Sequence, residues 1–274
     1  MSAASGAYPP RLKRFGQHFL ADERIVERIA DSLEITPGDT VVEIGPGRGV
    51  LTDRLVQRVG AHGRVVAIEL DRALAGLLRE RYAQNNNVQI IERDVLQVDL
   101  GEAAGAEYLL AGNVPYYITT PILFHTLRGW IPKRSVFLVQ REVAERAAAP
   151  PGGRSYGALS VNLQAVAHIE SLFDVPPGAF RPPPKVDSAV MRITPLDDAF
   201  ISPLEREPFQ RFTQAVFGLR RKQMTRVLRT ILGADAEVTD VLLRTAGIDP
   251  TVRPETVSIS DFARLFRSVS QRER

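Results

Sequence analysis

The residues Val41-Val42-Glu43-Ile44-Gly45-Pro46-Gly47-Arg48-Gly49-Val50-Leu51-Thr52 decide the fold. The stretch begins as a short apolar, β-branched run, which predicts a buried strand. A glycine-rich turn follows, and a segment with helical spacing begins at Val50. In an open parallel sheet, ligands bind at such a turn, because the carboxyl ends of strands and the N-termini of helices meet there. The stretch therefore predicts an α/β fold with a ligand loop after a central strand.

The rest of the chain alternates strand and helix patterns around this stretch. Short apolar runs predict strands at residues 65–68, 88–91, 108–110 and 136–139, and segments of helical spacing separate them. Two further runs, 171–175 and 189–194, are joined by the proline-rich segment 176–184. That segment leaves no room for a crossover helix, so we expect these two strands to be antiparallel to each other.

Three regions are expected along the chain. Residues 1–20 mix basic and aromatic side chains and form an arm that leads into a first helix near residues 22–33. Residues 21–196 carry the strand and helix alternation. After an acidic linker flanked by prolines, only helical spacing remains, so residues 205–274 are predicted to form a small, all-helical C-terminal domain.

Composition limits the class of protein. A chain of 274 residues with 44% hydrophobic and 24% charged residues and a net charge of +3 is typical of a globular protein with one large domain or two unequal ones. Its lack of cysteine excludes disulfides, thiol catalysis and cysteine-ligated metals, and its four histidines are too scattered to suggest a metal site. With no long apolar run and no signal-peptide core, we expect a cytoplasmic protein that does not contact membranes.

The glycine turn and the next two strand ends suggest an adenosyl cofactor. A dinucleotide-binding loop would need a glycine where Val50 stands. The observed Glu-x-Gly-x-Gly-x-Gly spacing, with Gly45 and Gly47, instead resembles the first motif of S-adenosylmethionine-dependent methyltransferases. Glu69 ends the second strand, where a carboxylate can accept both ribose hydroxyls. Asp94 and Val95 follow the third strand and are expected to hold the adenine ring. A purely structural turn remains the alternative.

The fourth predicted strand ends in Asn113-Val114-Pro115-Tyr116, which resembles the catalytic motif of methyltransferases that modify nucleobase amines. An adenine amine is a poor nucleophile, since its lone pair is delocalised into the ring. Hydrogen bonds to the Asn113 side-chain oxygen and the Val114 carbonyl would favour a pyramidal nitrogen. Pro115 fixes the turn, and the Tyr116 ring can stack on a base that has left its own stack. Phe180, in a stiff proline-rich loop, is expected to close the other face of the base.

Six motifs in order resemble one family, the rRNA adenine dimethyltransferases, and most closely its small-subunit (16S) branch. They are Phe15 to Leu20, Glu43 to Thr52, Asn113 to Tyr116, Gln140 to Arg146, Gly153 to Gly157 and Phe180 to Ser188. The resemblance implies a Rossmann-like methyltransferase sheet, mostly parallel with an antiparallel strand at one edge, and S-adenosyl-L-methionine as cofactor. It also implies that the N-terminal arm covers the cofactor site, with contacts from His18, Leu20 and Asn113 as well as the residues named above.

The same resemblance implies a substrate: two adjacent adenosines in a 3'-terminal hairpin loop of 16S rRNA, within a precursor of the 30S subunit, methylated by a monomer. The arginines agree with an RNA partner, since 31 of the 35 basic residues are arginine, although a GC-rich genome would also produce this. On a continuous helix, Lys222, Arg226 and Arg229 would share one face opposite apolar residues. The residues expected to contact RNA are Arg11, Lys13, Arg14, Arg154, Arg181, Lys185, Arg221, Lys222, Arg226 and Arg229.

Other functions remain open at this level. The large-subunit (23S) branch, which confers macrolide resistance, shares the chemistry, but the Gly153 to Gly157 segment and the C-terminal motifs favour the small-subunit branch. A non-catalytic RNA-binding or transcription factor on the same fold is a second alternative, which the intact Asn113 to Tyr116 motif disfavours. A dinucleotide-dependent oxidoreductase is a third, which Val50 disfavours.

Overall fold

The structure, a computed structural model, describes residues 18–105 and 107–272. Contacts between residues divide the chain into two compact units. The first holds the described parts of Met1–Arg141 together with Ser171–Ile193, and the second holds Glu142–Glu170 and the described part of Thr194–Arg274. Segment 142–170, which the sequence pattern placed with the strands, is therefore grouped with the C-terminal helices. The predicted arm falls mostly on residues 1–17, which lie outside the described part.

The described residues form a seven-stranded sheet. Its strands are β2 (Thr40–Ile44), β3 (Arg64–Glu69), β4 (Val88–Glu92), β5 (Tyr108–Asn113), β6 (Arg134–Gln140), β7 (Ala167–Val175) and β9 (Ser188–Pro195). Their order in the sheet is β4-β3-β2-β5-β6-β9-β7. The pairs β2/β3, β3/β4, β2/β5 and β5/β6 are parallel, while β9 is antiparallel to β6. The predicted α/β fold class, mostly parallel with an antiparallel edge, is confirmed.

The strand order creates a ligand crevice between β2 and β5. From β2 the chain proceeds outward through β3 to β4, and it then returns to place β5 on the other side of β2. Where the direction of the crossovers reverses in this way, two adjacent loops diverge and leave a crevice at the carboxyl ends of the strands. The glycine turn follows β2 and the Asn113 segment follows β5, so the topology brings the two sequence motifs together.

Several helices of the first unit begin after an aspartate whose side chain caps them. Asp22 accepts a hydrogen bond from the Arg24 backbone amide at 3.0 Å and Asp71 accepts one from the Ala73 amide at 2.9 Å, so each satisfies an amide that the first helical turn leaves free. The helices are α1 (Glu23–Ser32), α2 (Val50–Val59), α3 (Arg72–Arg81), α4 (Leu100–Ala104) and α5 (Thr119–His125). The expected helix near residues 22–33 is confirmed as α1.

A second, two-stranded sheet joins the start of the described chain to the proline-rich loop. β1 (Phe19–Leu20) pairs antiparallel with β8 (Phe180–Arg181), and Leu20 stands opposite Phe180. Both side chains are buried in a core cluster with α1, α2 and the central strands. The pairing therefore fixes the chain just after His18 against the main body of the unit.

The second unit is helical and is built around a cluster of aromatic rings. Phe266 packs against Phe209 and Phe212, with ring centroids 5.5 and 5.9 Å apart, and Phe217 packs against Phe262 at 5.5 Å. Its elements are α7 (Ala158–Gln164), α8 (Arg206–Gly218), α9 (Met224–Leu232), α10 (Ala236–Thr245) and α11 (Ile259–Arg272), together with most of α6 (Arg141–Ala148).

Segment 142–170 is tied into this unit by buried polar contacts. The Tyr156 hydroxyl donates to the Val257 carbonyl at 3.0 Å, and Asn162 Nδ2 donates to Thr213 Oγ1 at 2.6 Å. Both side chains are buried, so each bond satisfies a group that would otherwise be costly to remove from water. Tyr156 therefore anchors the motif Gly153 to Gly157 in this unit.

The prediction that Lys222, Arg226 and Arg229 share one continuous helix is wrong. α8 ends at Gly218 and α9 begins at Met224, and a turn separates them. The cause is non-local: the Met224 amide donates to the Val252 carbonyl at 2.8 Å, and the Thr225 amide donates to the Pro250 carbonyl. Arg220 lies in this turn and forms an ion pair with Glu255 at 3.2 Å, whereas a continuous helix would have placed it on the apolar side.

Across the described ranges, no helix is both long and apolar enough to cross a membrane.

Leu55 provides a test of the core of the first unit. It is fully buried in the cluster between the sheet and the helices. We expect Leu55→Ala to lower the free energy of unfolding by about 2–5 kcal/mol, because it removes buried methyl groups and leaves a cavity. Thermal unfolding measures the effect, and Leu204→Ala, at a leucine that is 92% exposed, is the control. Equal stability of the two variants would contradict the assignment of this core.

Candidate active site

A pocket in the first unit opens at the carboxyl ends of β2 and β5. The residues that the sequence analysis assigned to the cofactor or to catalysis and that line this pocket are His18, Leu20, Gly45, Gly47, Glu69, Asn113, Val114, Pro115 and Tyr116. The structure therefore brings together residues separated by up to 98 positions, from His18 to Tyr116.

The glycine turn lies unusually close to the neighbouring strand end. Gly45 has φ +69°, and a Cβ atom placed on it would lie 3.2 Å from the Asn113 carbonyl oxygen. Gly47 has φ +56°, and a Cβ there would lie 3.2 Å from the Phe19 ring. Any other residue would be strained at these angles and would press on the neighbouring groups. The missing side chains thus let the turn pack closely against Asn113 and Phe19, and both glycines line the pocket.

Glu69 joins the glycine turn to the end of β3. One carboxylate oxygen accepts from the Gly47 amide at 3.0 Å and the other accepts from the Asp71 amide at 2.9 Å. Burial raises the pKa of this carboxyl, while the two backbone bonds oppose the shift. Each carboxylate oxygen can accept a second hydrogen bond. Glu69 therefore holds the turn in shape and retains acceptor capacity for the two hydroxyls of a ribose.

Glu43 is a second buried acid of the pocket, and the sequence analysis gave it no role of its own. Its side chain is 2% exposed, and it accepts a hydrogen bond from Thr52 Oγ1 at 2.6 Å. Burial raises the pKa of Glu43 to about 8, and the nearby Glu69 adds to the rise. A charged residue within an otherwise apolar buried strand was the signal that could have identified it.

Asn113 is oriented by a single bond from its side chain. Its Nδ2 donates to the His18 carbonyl at 3.3 Å. Its Oδ1 accepts no hydrogen bond from any of the residues that the structure describes, and neither does the Val114 carbonyl. Two acceptors on consecutive residues at the edge of the pocket therefore keep their capacity for a donor such as an amine.

Phe180 does not have the position that the sequence predicted. Its side chain is fully buried in the core cluster, and it is not among the described residues that line the pocket. The pairing of β8 with β1 explains this, because it turns the Phe180 side chain into the core beside Leu20. In this structure, Phe180 therefore does not offer the second face of an aromatic clamp.

Asp94 and Val95 are not among the described residues that line this pocket. Asp94 Oδ1 accepts from the Leu96 amide at 3.0 Å and caps a short 3-10 turn, and Val95 is buried. Residues that the sequence analysis did not single out, including Leu70 and Tyr117, line the pocket instead. Leu70 is 47% exposed and Tyr117 is 61% exposed. An apolar residue directly after the Glu69 strand end was the available signal for Leu70.

The basic residues predicted to contact RNA are exposed wherever the structure describes them: Arg154, Arg181, Lys185, Arg221, Lys222, Arg226 and Arg229. Arg11, Lys13 and Arg14 lie outside the described residues. Arg226 and Arg229, on α9, make no ion pair with a described residue. Their charges remain available to phosphates.

The residues of the pocket fit S-adenosylmethionine. Gly45 and Gly47 of the glycine turn line the pocket, the Glu69 carboxylate can accept from a ribose diol, and the exposed face of Leu70 can cover an adenine ring. Asn113 ends the neighbouring strand β5 and Tyr116 follows it, and an acceptor base would meet the cofactor there.

The raised pKa of Glu43 predicts how stability depends on pH. Between its ordinary value of 4.5 and about 8, the folded protein keeps a proton that the unfolded chain has lost. The contribution of Glu43 to the free energy of unfolding is therefore fully present below pH 4.5 and is lost as pH rises through about 8. We expect Glu43→Gln to raise the melting temperature at pH 8 by a few degrees, with little effect at about pH 5. Thermal unfolding at both pH values measures this, with the exposed Glu102→Gln as control; an identical effect of Glu43→Gln at both values would contradict it.

Comparison with known proteins agrees with this geometry. A family model described as "Ribosomal RNA adenine dimethylase" matches residues 11–271. A protein of Xanthomonas campestris pv. campestris (strain B100), named ribosomal RNA small subunit methyltransferase A, is 43% identical over 258 residues, which cover 93% of this chain and 95% of that protein. A protein of the same name from Xanthomonas axonopodis pv. citri (strain 306) is 44% identical over 258 residues, with the same coverage of both chains.

Two solved structures resemble the fold over almost the whole chain. The 23S rRNA methyltransferase ErmE has a TM-score of 0.69 and 25% identity, over 92% of this chain and all of that chain. A dimethyladenosine transferase from Plasmodium falciparum has a TM-score of 0.78 and 22% identity, over 93% and 98% of the two chains. The family model that matches residues 11–271, together with the relatives at 43–44% identity, shows that the chain belongs to the ribosomal RNA adenine dimethylase family.

Proposed function

We propose that this chain dimethylates the N6 amine of two adjacent adenosines in a 3'-terminal hairpin loop of 16S rRNA. Members of its family are rRNA methyltransferases with S-adenosyl-L-methionine as cofactor. The observation that carries the proposal is the pair of acceptors on Asn113 and Val114 beside the glycine turn. We further propose that the monomer acts in the cytoplasm, on a precursor of the 30S subunit.

The side chain of Asn113 and the backbone of Val114 orient the amine. Asn113 Oδ1 and the Val114 carbonyl each accept one N–H of the exocyclic nitrogen. These two bonds favour a pyramidal nitrogen, whose lone pair is no longer delocalised into the ring and can point at the methyl group. Positioning of this kind lowers the barrier without a strong base, because the proton can leave after transfer. A monomethylated amine keeps one N–H for the same acceptors, which allows a second round.

The cofactor supplies an electrophilic methyl group when bound. Glu69 would hold its ribose, while the turn at Gly45 and Gly47 would hold its amino acid portion. His18 and Leu20 line the same pocket, and Leu20 is fixed by the pairing of β1 with β8. Asp94 is proposed to contact the adenine amino group with the carboxylate oxygen that does not cap its own turn.

The exposed arginines of the second unit support an RNA partner. Arg226 and Arg229 stand on α9, and Arg221 and Lys222 lie in the turn before it. A cluster of unpaired basic side chains binds the phosphate backbone without reading sequence. We propose that these residues hold rRNA, together with Arg154, Arg181 and Lys185, and with Arg11, Lys13 and Arg14 of the arm.

The small subunit is favoured over the large one as substrate. The relatives at 43–44% identity carry small-subunit names, whereas ErmE, named for 23S rRNA, is 25% identical. Mass spectrometry of both rRNAs, after incubation with labelled cofactor and unmethylated 30S or 50S subunits, separates the two. Dimethyladenosine in 16S rRNA alone is expected, and its appearance only in 23S rRNA would refute the proposal.

Asn113→Ala tests the role of the acceptor pair. We expect transfer to unmethylated 30S subunits to fall by about 100-fold or more, because a preorganised hydrogen bond to the reacting group is lost. Affinity for S-adenosylhomocysteine, measured by calorimetry, should change little. Asn86→Ala, at an exposed asparagine, is the control. Full turnover by Asn113→Ala would show that the amine is oriented by other groups.

Arg226 and Arg229 can be tested through salt dependence. If each contacts one phosphate, the double variant Arg226→Ala/Arg229→Ala should bind 30S subunits more weakly and reduce the slope of log K against log salt by about 1.5 to 2. Binding at several salt concentrations measures this. Arg211→Ala is the matched control, since Arg211 is paired with Glu207 at 3.1 Å. An unchanged slope would contradict the proposal that these two arginines contact RNA phosphates.

A further inference from the structure

We propose that Arg81 and Tyr82, at the end of α3, are positioning residues for the cofactor, because they hold the glycine turn after β2 in the shape that binds S-adenosylmethionine. Neither is among the described residues that line the pocket. The inference goes beyond the proposed function, since it concerns the cofactor and not the RNA. It holds or fails whichever rRNA the protein methylates.

The glycine turn needs contacts from outside, because its own residues do not fix its shape. Gly45, Gly47 and Gly49 all have positive φ, and glycine adopts many other backbone conformations at little cost. Glu69 holds one part of the turn through the Gly47 amide at 3.0 Å. The contacts from α3 act on the next two residues, 48 and 49, which lead into α2.

Two consecutive side chains of α3 bond two consecutive carbonyls of the turn. Arg81 Nη1 donates to the Arg48 carbonyl at 3.0 Å. The Tyr82 hydroxyl donates to Asp53 Oδ1 at 2.7 Å, and the Gly49 carbonyl is its second acceptor at 3.2 Å. A Cβ atom on Gly49 would lie 3.1 Å from the Tyr82 hydroxyl oxygen, so the turn lies directly against this group. The end of α3 thus sets the direction of both carbonyls.

Asp53 joins the two side chains to α2. Its carboxylate forms an ion pair with Arg81, and its backbone amide donates to the Gly49 carbonyl at 3.0 Å. Burial raises the pKa of Tyr82, and the neighbouring Asp53 adds to the rise, so the hydroxyl stays protonated and able to donate. The three side chains form one network outside the pocket lining.

The direction of these carbonyls decides what the turn presents to a ligand. In a trans peptide, the amide of the next residue points opposite to the carbonyl. The Gly49 carbonyl faces Tyr82, so the Val50 amide is directed away from Tyr82, and both Val50 and Leu51 line the pocket. Their amides, at the start of α2, donate to none of the residues that the structure describes.

Free amides at a helix N-terminus bind carboxylates, and S-adenosylmethionine carries one on its amino acid portion. A turn that is already held in this shape loses less conformational freedom when the cofactor binds, so its affinity is higher. The network of Arg81, Tyr82 and Asp53 should therefore act on cofactor affinity rather than on the transfer step.

The test pairs each variant with a matched control in the same unit. Tyr82→Phe removes the hydroxyl, and Tyr108→Phe removes that of another buried tyrosine, which also donates to a carbonyl but lies outside the pocket lining. Arg81→Gln and Arg79→Gln each remove a paired charge from α3. For all variants and wild type, calorimetry measures the affinity for S-adenosylhomocysteine and thermal unfolding measures the melting temperature. Steady-state kinetics on unmethylated 30S subunits give kcat and the KM for S-adenosylmethionine.

We expect Tyr82→Phe and Arg81→Gln each to weaken S-adenosylhomocysteine binding by about 2- to 12-fold, the range for loss of one hydrogen bond. The KM for S-adenosylmethionine should rise by a similar factor, while kcat at saturating cofactor stays at the wild-type value. Tyr108→Phe and Arg79→Gln should bind like wild type, even where their melting temperatures fall as far as those of the test variants.

Two results would overturn the inference. The first is wild-type affinity for S-adenosylhomocysteine in Tyr82→Phe or in Arg81→Gln. The second is an equal loss of affinity in the matched control, which would trace the effect to the general stability of the unit. Failure of the proposed function differs from both: wild type would then leave 16S rRNA unmethylated, while its affinity for S-adenosylhomocysteine still depended on Arg81 and Tyr82.

Discussion

The close approach of Gly45 to the backbone of Asn113 is the constraint on which the site depends. β2 and β5 are parallel neighbours at the point where the strand order reverses, so their ends lie side by side. A side chain at position 45 would press on the Asn113 carbonyl, so glycine allows the turn after β2 and the Asn113 segment to meet. Glu69 then fixes the turn from the other side through the Gly47 amide.

The two buried acids of the pocket show how position decides the role of a carboxyl. Glu69 accepts hydrogen bonds from two backbone amides, which partly offset the cost of burying its charge. Glu43 accepts a hydrogen bond from one hydroxyl, and its pKa is raised to about 8. The first is therefore suited to hold a ligand, while the second lies below the turn and ties β2 to α2 through Thr52.

Sequence was sufficient for features that depend on local pattern. The strand cores at residues 41–44, 65–68 and 136–139 were predictable because buried parallel strands are continuous apolar runs. Glu69 and Asn113 were predictable as pocket residues because each ends such a strand. Three other features were not predictable, since each is set by contacts between residues distant in the chain. They are the turn after Gly218, the burial of Phe180 and the grouping of segment 142–170 with the C-terminal helices. The bonds from Arg81 and Tyr82 to the glycine turn are contacts of the same kind.

The proposed function requires the acceptors of Asn113 and Val114 to orient an adenine amine beside the cofactor pocket. A crystal structure of the protein with S-adenosylhomocysteine and adenosine monophosphate tests this requirement most directly. We expect the N6 atom within hydrogen-bond distance of Asn113 Oδ1 and the Val114 carbonyl, facing the sulfur of the cofactor product. A purine bound with its amine directed away from both acceptors would contradict the proposed function.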